Sequence, residues 1–156
     1  MTIESCTTTS EDWLRLRRLL WPEVSDDDHR RSMAGIIAQP ERFLVLVARS
    51  ESGTAAGLAE ASIRHDFVNG CDTSPVAFLE GIFVIPEARR QGVARNLCAW
   101  VEDWARRNHC VEFASDADIA NYESHAMHRA LGFHEMERVV YFRKELPAVT
   151  SPRVDN

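Results

Sequence analysis

The chain has 156 residues, an apolar content of 45% and a formal net charge of −6 at pH 7. This length predicts one domain with its own core, and the acidic balance argues against a nucleic-acid partner. It suits a cationic partner, although acidity also simply keeps proteins soluble. No apolar run is long enough to span a bilayer, no signal peptide is apparent and the four cysteines are scattered, so we expect a cytoplasmic protein with reduced thiols.

Helical and strand-like patterns alternate along the chain. They predict, in order, a strand over 2–6, helices from Ser10 to Trp21 and from Ser25 to Gln39, strands over 43–48 and 56–63, a polar loop over 66–75, a strand over 76–85, a helix over 91–107, a strand over 111–114, a helix over 122–131 and a last strand over 135–143. We therefore expect one α+β domain over residues 1–146, on a mostly antiparallel sheet, and a polar tail over 147–156.

The stretch from Phe78 to Ala94 reads as an apolar strand, a short turn and a helix. Its turn has the form Arg-x-x-Gly-x-Ala, written here Arg89-Arg90-Gln91-Gly92-Val93-Ala94. Free N–H groups at a helix start bind phosphate oxygens, and Gly92 lets the backbone come close to a ligand. The stretch therefore predicts a pyrophosphate site, although it has neither a Walker loop nor a G-x-G-x-x-G fingerprint.

With Asn121 and Leu131-Gly132-Phe133 downstream, this stretch resembles the GNAT superfamily of acetyl-CoA-dependent N-acetyltransferases. The resemblance covers nearly the whole chain. It implies a mixed, mostly antiparallel sheet with helices on both faces and a splayed central strand, for which Gly81 is a candidate bulge. It also implies acetyl-CoA as co-substrate. The implied contacts are Ile82, Phe83, Val84, Arg89, Arg90, Gln91, Gly92, Val93, Ala94 and Asn121.

The family's second signature, Asn-x-x-Ser/Ala-x-x-Leu-Tyr-x-x-x-Gly-Phe, falls on residues 121–133. It departs at the tyrosine that often protonates the leaving thiolate, where this chain has His128. A histidine donates a proton near neutral pH, so His128 is a candidate catalytic acid, with a packed helix residue as the alternative. His125 and His128 share a helix face, but no third ligand accompanies them, and we predict no metal site.

Carboxylates supply a clue to the substrate. Glu80 ends an apolar run, where a charge is costly unless it meets a cation or hydrogen-bond donors. Asp116 follows the predicted strand over 111–114. Glu135 and Glu137 share one face of the predicted last strand. Several acids converging on one cleft would suit a polyamine, while a solvated surface acid is the alternative for each. Glu80 and Asp116 are candidate catalytic bases.

Longer segments narrow the resemblance. Residues 61–72, 78–84 and 114–116, with Leu20-Trp21-Pro22, resemble the aminoglycoside 6'-N-acetyltransferases of type I. This implies a homodimer that acetylates the 6'-amine of these antibiotics by direct attack, without a cysteine nucleophile, and so gives resistance. The implied drug contacts are Trp21, Phe67 (typically tyrosine), Glu80, Asp116 and Glu137. The alternatives are a GNAT acetyltransferase of another polyamine or lysine-type amine, and a non-catalytic acyl-CoA sensor.

Overall fold

A computed structural model describes residues 1–148. Its strands are β1 (Thr2–Ser5), β2 (Phe43–Arg49), β3 (Ala55–Arg64), β4 (Val76–Val84) and β5 (Phe113–Ser115), and its α-helices are α1 (Glu11–Leu20), α2 (Asp26–Ile37), α3 (Val93–Arg107) and α4 (Tyr122–Ala130). A 3-10 turn, Pro86–Ala88, precedes α3. The strands form one sheet in chain order, antiparallel except for the parallel β4–β5 pair. The predicted mixed sheet is confirmed.

Helices cover both faces of the sheet, as predicted. Trp13 and Leu16 of α1 and Met33 of α2 are buried in one core with β2 and β3. Leu97 and Val101 of α3 belong to a second core on the opposite face. The side chains of Ser10 and Ser25 cap α1 and α2, because each accepts the backbone N–H three residues further on.

A bulge and a splay shape β4. Glu60 of β3 pairs with Gly81, while the next residue, Ala61, pairs with Leu79, so Glu80 is the extra residue of a β-bulge. On its other edge β4 pairs with β5 only over Ala77–Leu79. Within residues 1–148, the edge from 80 to 84 therefore has no strand beside it. The predicted splay is confirmed, and the bulge lies at Glu80, next to the predicted position Gly81.

Gly81 also allows the end of α1 to lie directly on β4. A Cβ atom at position 81 would stand 2.6 Å from Cζ2 of Trp21 and 2.8 Å from Cδ2 of Leu20. Such distances are far below van der Waals contact, so a side chain there would displace the indole ring. The missing side chain of Gly81 therefore sets where Trp21 lies.

The predicted last strand over 135–143 is wrong. These residues have no regular structure, and Tyr141 and Phe142 are 83% and 93% exposed. A strand needs a partner edge, and the alternating pattern alone does not supply one. Within residues 1–148 the segment instead approaches the 66–75 loop, where Met136 packs on Gly70. Most of the predicted tail, residues 149–156, lies outside the described residues. Within the described part of the chain, no helix is long and apolar enough to cross a membrane.

Candidate active site

The Arg-x-x-Gly-x-Ala turn forms an open helix start. Gly92 is the N-cap of α3 with φ of 81°, and Arg90 also has a positive φ of 60°. Within the described residues, no side chain caps the first N–H groups of α3. A Cβ atom on Gly92 would meet nothing within 4 Å. Position 92 therefore favours glycine because its backbone is left-handed, not because space is short. The space in front of the uncapped N–H groups is free for an anion.

The side chains of this turn divide their roles. Arg89 donates to Glu123 of α4 at 2.8 Å and to the carbonyl of Val84 at 3.2 Å, so it ties the turn to its neighbours. Gln91 donates to the carbonyl of Glu87 at 2.9 Å, and Arg90 is exposed. Val93 is buried in the core behind the turn. The backbone, more than the arginine side chains, therefore presents the binding groups.

The predicted cofactor residues form one continuous path. Ile82, Phe83 and Val84 lie on the open stretch of β4, whose backbone leads through the 3-10 turn to Gly92. An unpaired strand edge offers N–H and C=O groups to an extended ligand. The edge and the helix start together can hold a chain that has amides at one end and phosphates at the other.

Glu80 is held by an arginine that the sequence prediction missed. Arg64 of β3 donates to both carboxylate oxygens of Glu80, at 3.0 and 2.8 Å from Nη2, and the hydroxyl of Ser62 donates at 2.5 Å. The guanidinium also stacks over the ring of Phe78, 3.4 Å from its centroid. The cation that this carboxylate needs is thus supplied by the protein itself.

The predicted drug contacts divide between two neighbouring cavities. Trp21, Phe67 and Glu80 line a cavity of about 830 Å³ between α1, α2 and the sheet. Asp116 and Glu137 line a second cavity of about 1010 Å³, which His128 also borders. Arg64 and Phe67 line both, so they stand at the boundary between the cavities. Either volume is in the range of small-molecule sites.

A buried network forms part of the wall of the first cavity. Glu60 accepts from Nη1 of Arg17 at 2.7 and 2.8 Å and from Nε1 of Trp13 at 2.6 Å. Arg17 also donates to Nδ1 of His29 at 3.2 Å and stacks on Trp21 at 4.8 Å. Burial raises the pKa of Glu60, and the charge of Arg17 opposes that rise. The network fixes the wall on which Trp21 rests.

His128 lies where β4 and β5 separate. Its Nε2 is 2.9 Å from the hydroxyl of Ser115, the residue of β5 that pairs with Leu79. Its Nδ1 is 2.8 Å from the carbonyl of Ser124. Because a carbonyl only accepts, Nδ1 carries the proton of the neutral ring, and Nε2 faces the hydroxyl of Ser115, which donates to the carbonyl of Leu79 at 3.2 Å. His128 is therefore set to act through Ser115 or in its protonated form.

Comparison with known proteins places this geometry in a family. The model of the acetyltransferase (GNAT) family matches residues 10–133. The chain belongs to the GNAT family. The aminoglycoside N(6')-acetyltransferase type 1 of Acinetobacter baumannii is 56% identical to this GNAT chain over 135 residues, which are 86% of this chain and 91% of that protein. The chain thus also belongs among the type 1 aminoglycoside N(6')-acetyltransferases, as the sequence resemblance predicted.

Solved structures agree with the fold. The crystal structure of the aminoglycoside 6'-N-acetyltransferase AAC(6')-Ih from Acinetobacter baumannii has a TM-score of 0.88 and 52% identity to this GNAT chain, covering 94% of this chain and 99% of that one. AAC(6')-Iy, in complex with the bisubstrate analogue CoA-S-monomethyl-acetylneamine, has a TM-score of 0.87 and 46% identity, covering 93% and 98%. The latter was solved with an analogue of both substrates of acetyl transfer.

Two further predicted contacts of the GNAT chain have local partners. Asn121 caps α4 by accepting from the N–H of Ser124 at 3.0 Å. Glu137 accepts from Asn69 at 3.3 Å, which joins the C-terminal segment to the 66–75 loop. His125 lies 2.9 Å from the carbonyl of Asp118. Among residues 1–148, no three His, Cys, Asp or Glu side chains are grouped so as to hold a metal ion.

The cysteines of the GNAT chain are free and weakly acidic. Burial raises the pKa of Cys6 to about 11 and that of Cys98 to about 12. Burial also raises the pKa of Cys71 and of Cys110. The thiolate is the nucleophilic form of cysteine, so all four are poor nucleophiles at neutral pH.

Proposed function

We propose that this GNAT chain transfers the acetyl group of acetyl-CoA to the 6'-amine of aminoglycosides by direct attack, and that this acetylation gives resistance. The open edge of β4 beside a cavity lined by Trp21, Phe67 and Glu80 carries the proposal. The names of the relatives, at up to 56% identity, support it. An aminoglycoside is polar, cationic and ring-shaped, so an aromatic wall with carboxylates suits it.

Acetyl-CoA lies along the splay. Its pantetheine arm pairs with the backbone of residues 82–84 as an added strand, and its pyrophosphate meets the uncapped N–H groups behind Gly92. The family resemblance adds Arg90 and Asn121 as contacts of the cofactor. Backbone N–H groups of β4 stabilise the negative charge that develops on the thioester oxygen when the amine attacks.

The reaction needs a proton acceptor and a proton donor. Asp116, exposed beside the splay, removes a proton from the 6'-ammonium directly or through a water, and Glu80 orients the amine. The amine then attacks the carbonyl carbon and the carbon–sulfur bond breaks. The attacking nitrogen releases its second proton to water, and the thiolate takes a proton that the imidazolium of His128 supplies through the hydroxyl of Ser115. The raised pKa of each cysteine supports direct transfer without an acyl-cysteine.

The enzyme works as a cytoplasmic homodimer of single domains over residues 1–146. Val140, Tyr141 and Phe142 are 77%, 83% and 93% exposed, which is unusual for neighbouring apolar side chains. A second copy that covers them would give the C-terminal segment the packing that it lacks within one chain. Light scattering should give twice the chain mass at micromolar concentration, and a strict monomer would contradict this part of the proposal.

The substrate assignment can be tested with two antibiotics that differ only at the reacting group. Neomycin carries an amine at the 6' position and paromomycin a hydroxyl. With acetyl-CoA and purified enzyme, we expect thiol release with neomycin, mass addition of one acetyl group, and no turnover at that position with paromomycin. Preference for spermidine or a lysine peptide would favour another GNAT amine substrate, and binding of acetyl-CoA without turnover would favour a sensor.

The role of Asp116 has a matched control two residues away. Asp116→Asn should lower kcat/KM for neomycin by about ten- to a hundredfold, the effect of one charge-assisted contact of about 1.5–3 kcal/mol. Asp118→Asn changes another exposed acid, which accepts the N–H of Ala120 at 2.7 Å, and should leave kcat/KM near that of the wild type. Equal effects of the two changes would remove Asp116 from the mechanism.

A further inference from the structure

Three arginines line the first cavity, although its proposed substrate is a polycation. Arg17, Arg42 and Arg64 all line it, together with Glu60 and Glu80. Glu60 is bonded to Arg17 and Glu80 to Arg64, so neither carboxylate is free. A cationic substrate that uses Glu80 therefore meets a carboxylate whose charge is already compensated.

The guanidinium of Arg64 is easier to displace from its carboxylate than that of Arg17. The side chains of Arg64 and Glu80 are 36% and 31% exposed, whereas those of Arg17 and Glu60 are 8% and 5% exposed. Arg64 also borders the second cavity, which carboxylates such as Asp72 and Asp116 line. A guanidinium that leaves Glu80 thus stays near negative charge.

We propose that Arg64 is a specificity-determining residue, whose guanidinium occupies Glu80 in the free enzyme and is displaced by an ammonium group of the substrate. This rests on the proposed function. A polycationic antibiotic binds several carboxylates at once, and these contacts together offset the free energy that it costs to displace Arg64. A simple amine has one ammonium group and gains little by exchanging one ion pair for another. Arg64 therefore discriminates against simple amines.

Arg42 offers a matched control for the charge itself. It lines the same cavity and stacks on Phe43 at 5.1 Å, but among residues 1–148 it forms no ion pair. Arg64→Gln and Arg42→Gln remove the same charge from the same cavity. Only the first leaves Glu80 without its guanidinium.

The expected result concerns selectivity. Arg64→Gln should lower KM for neomycin by about three- to tenfold, as expected for a partly exposed ion pair, and should make turnover of a simple monoamine measurable, because Glu80 is then free for a single ammonium group. Arg42→Gln should change neither the KM for neomycin nor the kcat/KM for the simple amine by as much as twofold. In a Glu80→Gln background, Arg64→Gln should give no further gain, because the carboxylate that the two cations compete for is absent.

Several outcomes would overturn the proposal. They are a higher KM for neomycin in Arg64→Gln, equal effects of Arg64→Gln and Arg42→Gln, or a gain that persists without Glu80. A crystal structure of the wild type with neomycin gives a test that needs no variant, since Arg64 must then have left both oxygens of Glu80. A wild type that does not acetylate neomycin at all would instead contradict the proposed function.

Discussion

Two glutamate–arginine pairs meet at the bulge in the β3–β4 ladder, and they differ in what surrounds them. Glu60 pairs with Arg17 in the buried part of the cavity wall and receives a second donor, Trp13. Glu80, one residue from the position opposite Glu60, pairs with Arg64 on the cavity surface. Chemically similar pairs thus serve two purposes. Burial keeps the Glu60–Arg17 pair intact, whereas exposure allows a ligand cation to replace Arg64 at Glu80.

The energetics of the two pairs follow from their burial. Breaking a buried pair leaves an uncompensated charge in a low dielectric, whereas an exposed pair is screened and its partners are readily solvated. Substitution of each acid should therefore separate stability from activity. An exposed pair on α1 and α2, Arg18 with Asp26, completes the series.

The largest effect is expected at the buried pair. Glu60→Gln keeps the shape of the side chain but leaves Arg17 with no counter-charge, so the free energy of unfolding should fall by about 3–5 kcal/mol. Urea denaturation followed by circular dichroism measures this change. A loss below about 1 kcal/mol would mean that the buried Glu60 network stabilises the fold no more than a surface pair does.

At the cavity surface the effect should move from stability to activity. Glu80→Gln should change the free energy of unfolding by less than about 1 kcal/mol, yet lower kcat/KM for neomycin by about ten- to a hundredfold. Calorimetric titration with CoA serves as the control, because CoA affinity should be unchanged. If unfolding is affected as strongly as in Glu60→Gln, the contrast between the two pairs fails.

The smallest effect is expected at the exposed pair. The hydrogen bond from Arg18 lowers the pKa of Asp26 from its ordinary value of 3.8, so the pair stabilises the fold above that pH and loses its contribution as the pH falls through the lowered pKa. Asp26→Asn at pH 7 should leave the urea midpoint and neomycin turnover almost unchanged. A clear shift in the midpoint at pH 7 would show that exposure alone does not rank these pairs.

Sequence patterns predicted the parts of the fold that depend on near neighbours. The caps Ser10 and Ser25 and the strands of the β2–β3 hairpin are local features, and the structure confirms them. Helical spacing from Val93 and Leu97 would put Trp100 on the inner face of α3, yet Trp100 is 48% exposed. The smaller Val101 is buried there instead, because close packing on the sheet favours a side chain that fits the space over a larger one.

Those residues of the candidate site that belong to sequence motifs could be predicted. The helix start at Gly92 and the cavity residues Trp21 and Glu80 follow from the sequence. Arg64 does not, because its contact with Glu80 depends on the exact offset that the bulge introduces between β3 and β4. The Glu60 network could not be predicted either, since its members come from α1, α2 and β3, which are far apart in the chain.

The open edge of β4 has a consequence for the protein without its cofactor. Exposed strand edges are templates for pairing with other chains, and proteins usually block them with charge, proline or a covering element. Here residues 82–84 must stay free if they are to receive the pantetheine arm. The acetyl-CoA of the cell would then act as a small chaperone for this enzyme, and a variant that binds it weakly would aggregate sooner as well as work more slowly.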